Sequence, residues 1–316
     1  MKQFFLFISF SIFSFANAQG DNKVLDASEQ AALVTNLQAA ELDDSTKIWN
    51  FGGLTTLNFS QVSLNNWAGG GVSSLTATGL VNLNAIYAKD KTSWVSSLDL
   101  AYGLLKNKDV DAFKSDDRIE FNSKYGRKAS DHWYYSALVN FKTQFSPGYS
   151  TPGDSIAISN FLAPAYVIGA LGMDYKPSEN FSVFISPITS KTTIVNDPIL
   201  SAAGAFGVEE GETIRSEFGA YLKMAYQRDV VENVSFQTKL DLFSNYQNNP
   251  GNIDVSWETL ISMKINKFMT ASISTHLIYD DDIDIAVDNN NDGIIDEVGP
   301  RVQFKEVLAI GLSYKF

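Results

Sequence analysis

The chain of 316 residues has no cysteine, only two histidines, and fewer bases than acids: 24 Lys plus Arg against 36 Asp plus Glu, a formal charge of −12. Without cysteine there is no disulfide scaffold, thiol nucleophile, thiolate zinc centre or lipidated N-terminal cysteine. The acidic balance argues against a protein that coats nucleic acid. Long apolar runs are also missing. After the first 18 residues nothing approaches the roughly 20 apolar residues of a spanning helix. The longest candidate, residues 161–173, is broken by Pro164 and two glycines. What is plentiful is aromatic: 22 Phe, 13 Tyr and 5 Trp, with few groups beside them that could carry out chemistry.

The first 18 residues, MKQFFLFISFSIFSFANA, read as an export signal. Lys2 is the charged start, Phe4 to Phe15 the short apolar stretch, and Ala16-Asn17-Ala18 a small-x-small cleavage site. Cleavage after Ala18 is expected, and loss of Lys2 would take the charge from −12 to −13. An exported chain without a spanning helix is either soluble or a membrane β-barrel. Residues 19–48 read as a periplasmic leader. Within it, Asp26 to Leu42 has the pattern of a short amphipathic helix, with Leu33, Val34, Leu37 and Ala40 on one face and Asp26 with Glu29 as a cap. A mobile leader is the competing reading.

From about Phe51 onward the apolar residues recur at every second position, the period of a strand. Leu75, Ala77, Gly79, Val81, Leu83, Ala85 and Tyr87 alternate with Ser74, Thr76, Thr78, Asn82 and Asn84. Similar alternation runs through residues 94–104, 133–144 and 255–264. These segments are about twice the five or six residues of an average strand, the length that tilted strands need to cross a bilayer. Twelve segments are expected, starting near residues 50, 72, 92, 118, 132, 165, 181, 215, 234, 253, 269 and 302. The even-numbered gaps are short and the odd-numbered ones mostly longer. An even strand count with short turns on one side and long loops on the other is the layout of outer-membrane barrels. It places both termini and the short turns in the periplasm.

Aromatics cluster at the strand ends. Tyr87, Trp94, Trp133, Tyr175, Phe181 and Tyr226 lie beside the short turns, and Tyr102, Tyr166, Phe218, Tyr246, Trp257 and Tyr279 toward the long loops. Two such belts suit rings that want one apolar and one wet side. On the last segment Phe304, Leu308, Ile310, Leu312, Tyr314 and Phe316 share one face, resembling the signal that outer-membrane barrels present to their assembly machinery. The expected fold is therefore all-β: an antiparallel up-and-down transmembrane barrel of about twelve strands over residues 49–316, in the outer membrane.

The opening of the barrel carries a further resemblance. Trp49-Asn50, Leu57-Asn58-Phe59-Ser60-Gln61 and Leu64-Asn65-Asn66-Trp67-Ala68-Gly69-Gly70-Gly71 resemble the start of a family of uncharacterised Gram-negative outer-membrane barrels, a domain of unknown function. The resemblance implies a barrel and supplies no activity.

Asp99, Arg118, Glu120, Lys142, Glu217, Lys223, Lys239, Asp241, Glu258 and Lys264 fall on the inward parity, five acids and five bases. Such a balance can pair across the lumen rather than select ions of one sign. Ala309, Gly311 and Ser313 leave space on the inner face of the last strand, which the leader or another element could fill.

No catalytic constellation stands out, and no enzymatic activity is expected. His132 lies in a short turn and His276 faces inward, with Ser274 and Ser272 on the same face. The His-x-Ser-x-Asn arrangement of the twelve-stranded phospholipase barrels has no counterpart, since Leu277, Ile278 and Tyr279 follow His276. Gly69-Gly70-Gly71 precedes a strand and reads as a hairpin tip rather than a phosphate cradle.

One metal pattern is present. Asp288, Asn290, Asp292 and Asp296 take positions 1, 3, 5 and 9 of a calcium loop, and Gly293 takes the sharp-turn position. Position 12 is Gly299 instead of an acid, with Glu297 as a substitute, so weak calcium binding competes with a plain acidic loop tip. No other cofactor is expected. The expected partners are outer-membrane lipid and, during insertion, the barrel assembly machinery, with no nucleic acid. Two functions follow: a narrow pore for small polar solutes, or a closed accessory barrel acting through its loops or a protein partner.

Overall fold

The computed structural model describes residues 48–63, 73–108, 110–150, 153–287 and 296–315. The signal segment, residues 19–47 of the leader, the glycine triplet and Phe316 lie outside the described residues.

Twelve antiparallel strands close into a barrel. They are β1 (Trp49–Val62), β2 (Ser74–Lys89), β3 (Thr92–Asn107), β4 (Phe113–Lys128), β5 (Trp133–Thr143), β6 (Ala165–Ser178), β7 (Phe181–Ile194), β8 (Ile214–Val231), β9 (Val234–Asn245), β10 (Ile253–Lys264), β11 (Met269–Tyr279) and β14 (Gln303–Lys315). Each pairs with its neighbour in sequence, and β14 returns to β1. Two short strands, β12 (Asp284–Val287) and β13 (Glu297–Pro300), form a separate hairpin in the last long connection. A short helix, α1 (Pro198–Ala202), sits in the β7–β8 connection.

Connections fall into two classes by barrel end. Residues 90–91, 129–132, 179–180, 232–233 and 265–268 make the short turns. Residues 144–164, 195–213 and 280–302 make the longest loops at the other end. The start of β1 and the end of β14 both lie at the short-turn end. One expected loop is smaller than its sequence suggests. β4 begins at Phe113 rather than near residue 118, because a bulge between Gly103 and Leu104 lets Lys114 and Phe113 keep pairing with Leu104 and Leu105.

Polarity is inverted relative to a soluble barrel. Leu57, Phe59, Leu83, Phe121, Val139, Leu171, Ile185, Leu308, Ile310 and Leu312 are exposed on the outer wall, while Asn82, Asp99, Glu120, Asp174, Glu217 and Glu258 are buried inside. An outer surface of this kind is stable against hydrocarbon and unstable against water. Aromatic rings band both ends of that surface. Trp49 packs on Tyr87 (5.1 Å) and Trp94 (6.1 Å), and Trp133 on Tyr175 (4.7 Å), at the short-turn end. Tyr102 meets Phe145 (6.4 Å) and Phe218 meets Tyr246 (5.9 Å) at the long-loop end. Tyr166 is an exception to the expected belt. It is the register partner of Lys142 and of buried Thr193, which puts it on the inner face.

Two apolar clusters support this frame. Inside, Leu138, Ala170, Phe184, Tyr221 and Phe243 line the wall made by β5 to β9. At the long-loop end, Ala163, Val195, Leu200 and Val208 tie the 144–164 and 195–213 loops together. Buried Gln144 donates to the Asn160 carbonyl (2.8 Å), and the buried Asp117 carboxylate accepts from the Phe145 (2.7 Å) and Ser146 (2.9 Å) amides. These loops are built structures, with their backbone groups satisfied from the barrel rim.

Candidate functional site

The lumen is the only feature of the described residues that gathers charged groups from many strands, and it gathers them in three layers. The layers arise because alternation puts every second residue inside: Lys223 and Asp241, Lys239 and Glu258, and Lys191 and Glu217 are opposite charges in register, whereas Asp99 and Glu120 are like charges in register.

The middle layer is a waist. Asn82, Asp99, Glu120 and Lys142 are successive register partners across β2 to β5. Lys239, Glu258, His276 and Lys305 are successive partners across β9, β10, β11 and β14. Glu120 accepts from Asn140 (2.9 Å) and Asn122 (3.2 Å), and Asn82 donates to Asp99. On the facing wall Lys223 pairs with Asp241 (3.2 Å), and Lys239 bridges Asp241 (3.8 Å) and Glu258 (3.4 Å). Tyr221 donates to Asp241. The two walls also act on each other: Glu120 on β4 lies in the electrostatic field of Lys239 and Lys223 on β9 and β8. Asp99, Glu120, Lys239 and Glu258 are all below 9% exposed, so the waist is narrow and closely packed.

Toward the long loops lies the second layer. Lys191 on β7 reaches Asp254 on β10 (2.8 Å), Asp280 beyond β11 (3.3 Å) and Glu217 on β8 (3.6 Å). Arg215 pairs with Glu217 (2.9 Å) and Asp282, and donates to the Gly207 carbonyl (3.3 Å). This layer therefore fastens the 195–213 loop and the base of the last long loop to the barrel mouth. The third layer, nearer the short turns, is smaller: Lys124 on β4 and Lys176 on β6 share Asp174, at 2.8 and 3.3 Å.

Of the ten inward charges expected from parity, Asp99, Glu120, Lys142, Glu217, Lys223, Lys239, Asp241 and Glu258 belong to these layers, and Arg118 is buried on β4 two residues before Glu120. Lys264 does not belong to them. It is the last residue of β10, exposed beside the turn. Sequence reasoning passed over Lys124, Asp174, Lys176, Lys191, Arg215 and Asp254; Lys124, Arg215 and Asp254 share parity with an assigned inward residue on their own strand, whereas β6 and β7 had no inward charge assigned at all. The space expected beside Gly311 is also already taken, because the Asn58 side chain lies where a Cβ at Gly311 would fall.

The pairing of charges does not satisfy every buried atom. Asn82 Oδ1, Gln237 Oε1, Ser136 Oγ and Glu258 Oε2 are buried without a hydrogen-bond partner among the described residues. Polar atoms left so in an interior require water.

His276 faces inward as expected, with Ser256 Oγ 2.8 Å from Nε2 and Glu258 Oε1 3.9 Å from that same nitrogen. A serine–histidine–acid triad needs the acid on the opposite ring nitrogen, to orient the imidazole. This grouping places the serine and the acid on one nitrogen. His132 sits in the β4–β5 turn with its ring 6.3 Å from Tyr175, remote from the lumen charges. Of the calcium pattern, Asp288, Asn290 and Asp292 lie outside the described residues. Asp296 donates its amide to the Val287 carbonyl (2.8 Å), closing the β12–β13 hairpin, and Glu297 pairs with Arg301. Among the described residues no group of three or more acids or histidines is arranged to hold a metal ion.

Residues 59–149 match a family model described as a protein of unknown function (DUF3078). With the closed barrel, this bears out the resemblance to an uncharacterised barrel family. No curated protein matches the chain. Among solved structures, an outer membrane channel from Pseudomonas putida F1 is similar at 11% identity and a TM-score of 0.40, over 86% of this chain and 97% of that one. The NanC porin is similar at 9% identity and 0.38, over 83% and 100%. The translocator domain of the autotransporter NalP from Neisseria meningitidis is similar at 8% and 0.35, over 92% and 97%.

Proposed function

We propose that the protein is an outer-membrane barrel that admits small polar solutes through a narrow lumen, and that paired charges hold its waist shut at rest. The observation that carries this reading is the set of buried lumen acceptors without a hydrogen-bond partner among the described residues, Asn82 Oδ1, Gln237 Oε1 and Glu258 Oε2, which water can satisfy. A barrel that only had to be filled is better packed with apolar side chains, as the wall around Phe184 and Phe243 already is. Hydrated, movable charges instead give a polar solute a substitute for its own hydration shell. A closed accessory barrel is the second reading, and the burial of Glu120, Lys239 and Glu258 favours it.

Purified protein in planar bilayers separates the two. Under the pore reading, wild type gives discrete steps that scale with salt, and Lys239→Met with Glu258→Gln enlarges them. Silence from both proteins at high protein load refutes the pore and leaves the accessory barrel.

A further inference from the structure

The barrel wall is not evenly zipped. Each of the other eleven ladders between barrel strands holds at least ten register pairs. The β1–β14 ladder runs only from Leu54↔Lys315 to Asn58↔Gly311. Both strands continue beyond that point on their other sides. β1 stays with β2 as far as Val62↔Ser74, and β14 stays with β11 as far as Gln303↔Ile278. Extending the register would set Phe59 opposite Ile310, Ser60 opposite Ala309, Gln61 opposite Leu308 and Val62 opposite Val307. None of these four rungs forms among the described residues. Each strand follows its outer neighbour, and the seam lacks rungs toward the long-loop end over roughly 14 Å, at about 3.4 Å per rung.

The two sides of this gap differ in chemistry. Phe59, Leu308 and Ile310 are exposed on its outer flank at 52, 72 and 54%, with exposed Gln61 at the upper end of that flank. Ser60, Val307 and Ala309 line its inner flank, all accessible and none larger than valine. Asn58, folded over Gly311, forms the floor. Lys305, on the inner face above, is the register partner of His276, so the waist network reaches the edge of the gap. Unpaired strand edges facing hydrocarbon are costly, which makes an open rung at membrane depth tenable only where polar groups can reach it from the lumen.

We infer that the long-loop half of the β1–β14 seam is a lateral opening between lumen and bilayer, which takes amphiphiles with a polar head and one slender hydrocarbon chain. The head meets Asn58 and Ser60 from inside, while the chain lies along Phe59, Leu308 and Ile310 outside. This inference rests on the bilayer placement proposed above, and protease protection of wild type in vesicles checks that placement separately.

The absence of cysteine makes the test clean. Register partners lie about 4.5–5.5 Å apart at Cα, within disulfide reach. In vesicles, Thr56→Cys with Ser313→Cys should therefore cross-link under mild oxidation, which also reports that the seam has formed. Ser60→Cys with Ala309→Cys should cross-link about tenfold less. Pyrene maleimide dissolved in the bilayer should label Ser60→Cys about tenfold faster than Asn84→Cys, an inward residue of β2 away from the seam. Dodecanoate should slow the Ser60→Cys reaction. Full cross-linking of the Ser60/Ala309 pair, or equal labelling at the two single sites, overturns the lateral opening. Labelling unaffected by dodecanoate overturns the amphiphile as its ligand.

Discussion

Replacing Lys239 by methionine should destabilise the barrel more than its replacement together with Glu258. Lys239 Nζ lies 3.4 Å from Glu258 Oε1 and 3.8 Å from Asp241 Oδ2, and both Lys239 and Glu258 are buried, at 7% and 6% exposure. In Lys239→Met, Asp241 keeps Lys223 at 3.2 Å, but among the described residues Glu258 keeps as a charged partner only the more distant His276 at 3.9 Å. Breaking a buried pair from one side leaves an uncompensated charge and costs about 3–5 kcal/mol. Glu258→Gln should cost less, since Lys239 still faces Asp241 and the amide can accept one of its hydrogen bonds. In the double variant Glu258 is no longer a stranded charge, so the loss should fall below that of Lys239→Met alone, with a coupling of about 2 kcal/mol or more. Urea unfolding in vesicles, followed by tryptophan fluorescence and by the heat-modifiable band, supplies the four corners of the cycle. The reasoning is refuted if Lys239→Met costs less than about 1 kcal/mol, or if the double variant loses the sum of the singles.

Two further expectations concern backbone and loops. A Cβ at Gly172 would collide with the Ile185 carbonyl, whereas at Gly169, three residues earlier on β6, it would meet nothing within 4 Å. Gly172→Ala should therefore cost about 1–3 kcal/mol of stability and Gly169→Ala almost nothing, and equal urea midpoints for the two would contradict this. The Asn160 amide, with the Leu200 and Ile199 N–H groups, holds the Asp197 carboxyl below its usual range, so its stabilisation of the 195–213 loop is present above the ordinary carboxylate range and is lost as pH falls through the lowered value. Asp197→Ala should loosen α1 by about 1 kcal/mol at neutral pH and remove that acid step, read as hydrogen exchange at Leu200 and Ser201. Exchange unchanged by the substitution would show the cap to be idle.

Period-two alternation and turn residues were enough to place the strands, because each strand meets two different solvents and its side chains must follow the pleat. Where sequence reading stopped short, the cause was a partner far away in the chain. Asp116 and Asp117 look like a loop because they are acidic. They are strand residues because Asp117 caps amides 28 and 29 residues later, at Phe145 and Ser146. Parity placed Glu120 and Lys239 inside, but that Lys191 meets Asp254 and Asp280 follows from the stagger of the strands, which parity does not encode. Tyr166 failed as a belt residue for a related reason. Sitting near a strand end says how high a ring lies along the strand, and only register says which face it takes.

The order of strands around the barrel also bears on how the chain reaches this state. Eleven of its twelve seams join barrel strands consecutive along the chain, so they can form as hairpins with modest loops to close. The twelfth joins Thr56 to Ser313, 257 residues apart. Loop-closure entropy grows only logarithmically, at about 0.6 kcal/mol per doubling, so this contact costs roughly 2 kcal/mol more than closing a 30-residue hairpin. Contact order is therefore low for so large a sheet, and the search for the native pairing is short until its final step. That step is also the one with the fewest rungs to repay it. Ring closure is thus the point at which folding is slowest to commit and first to reverse.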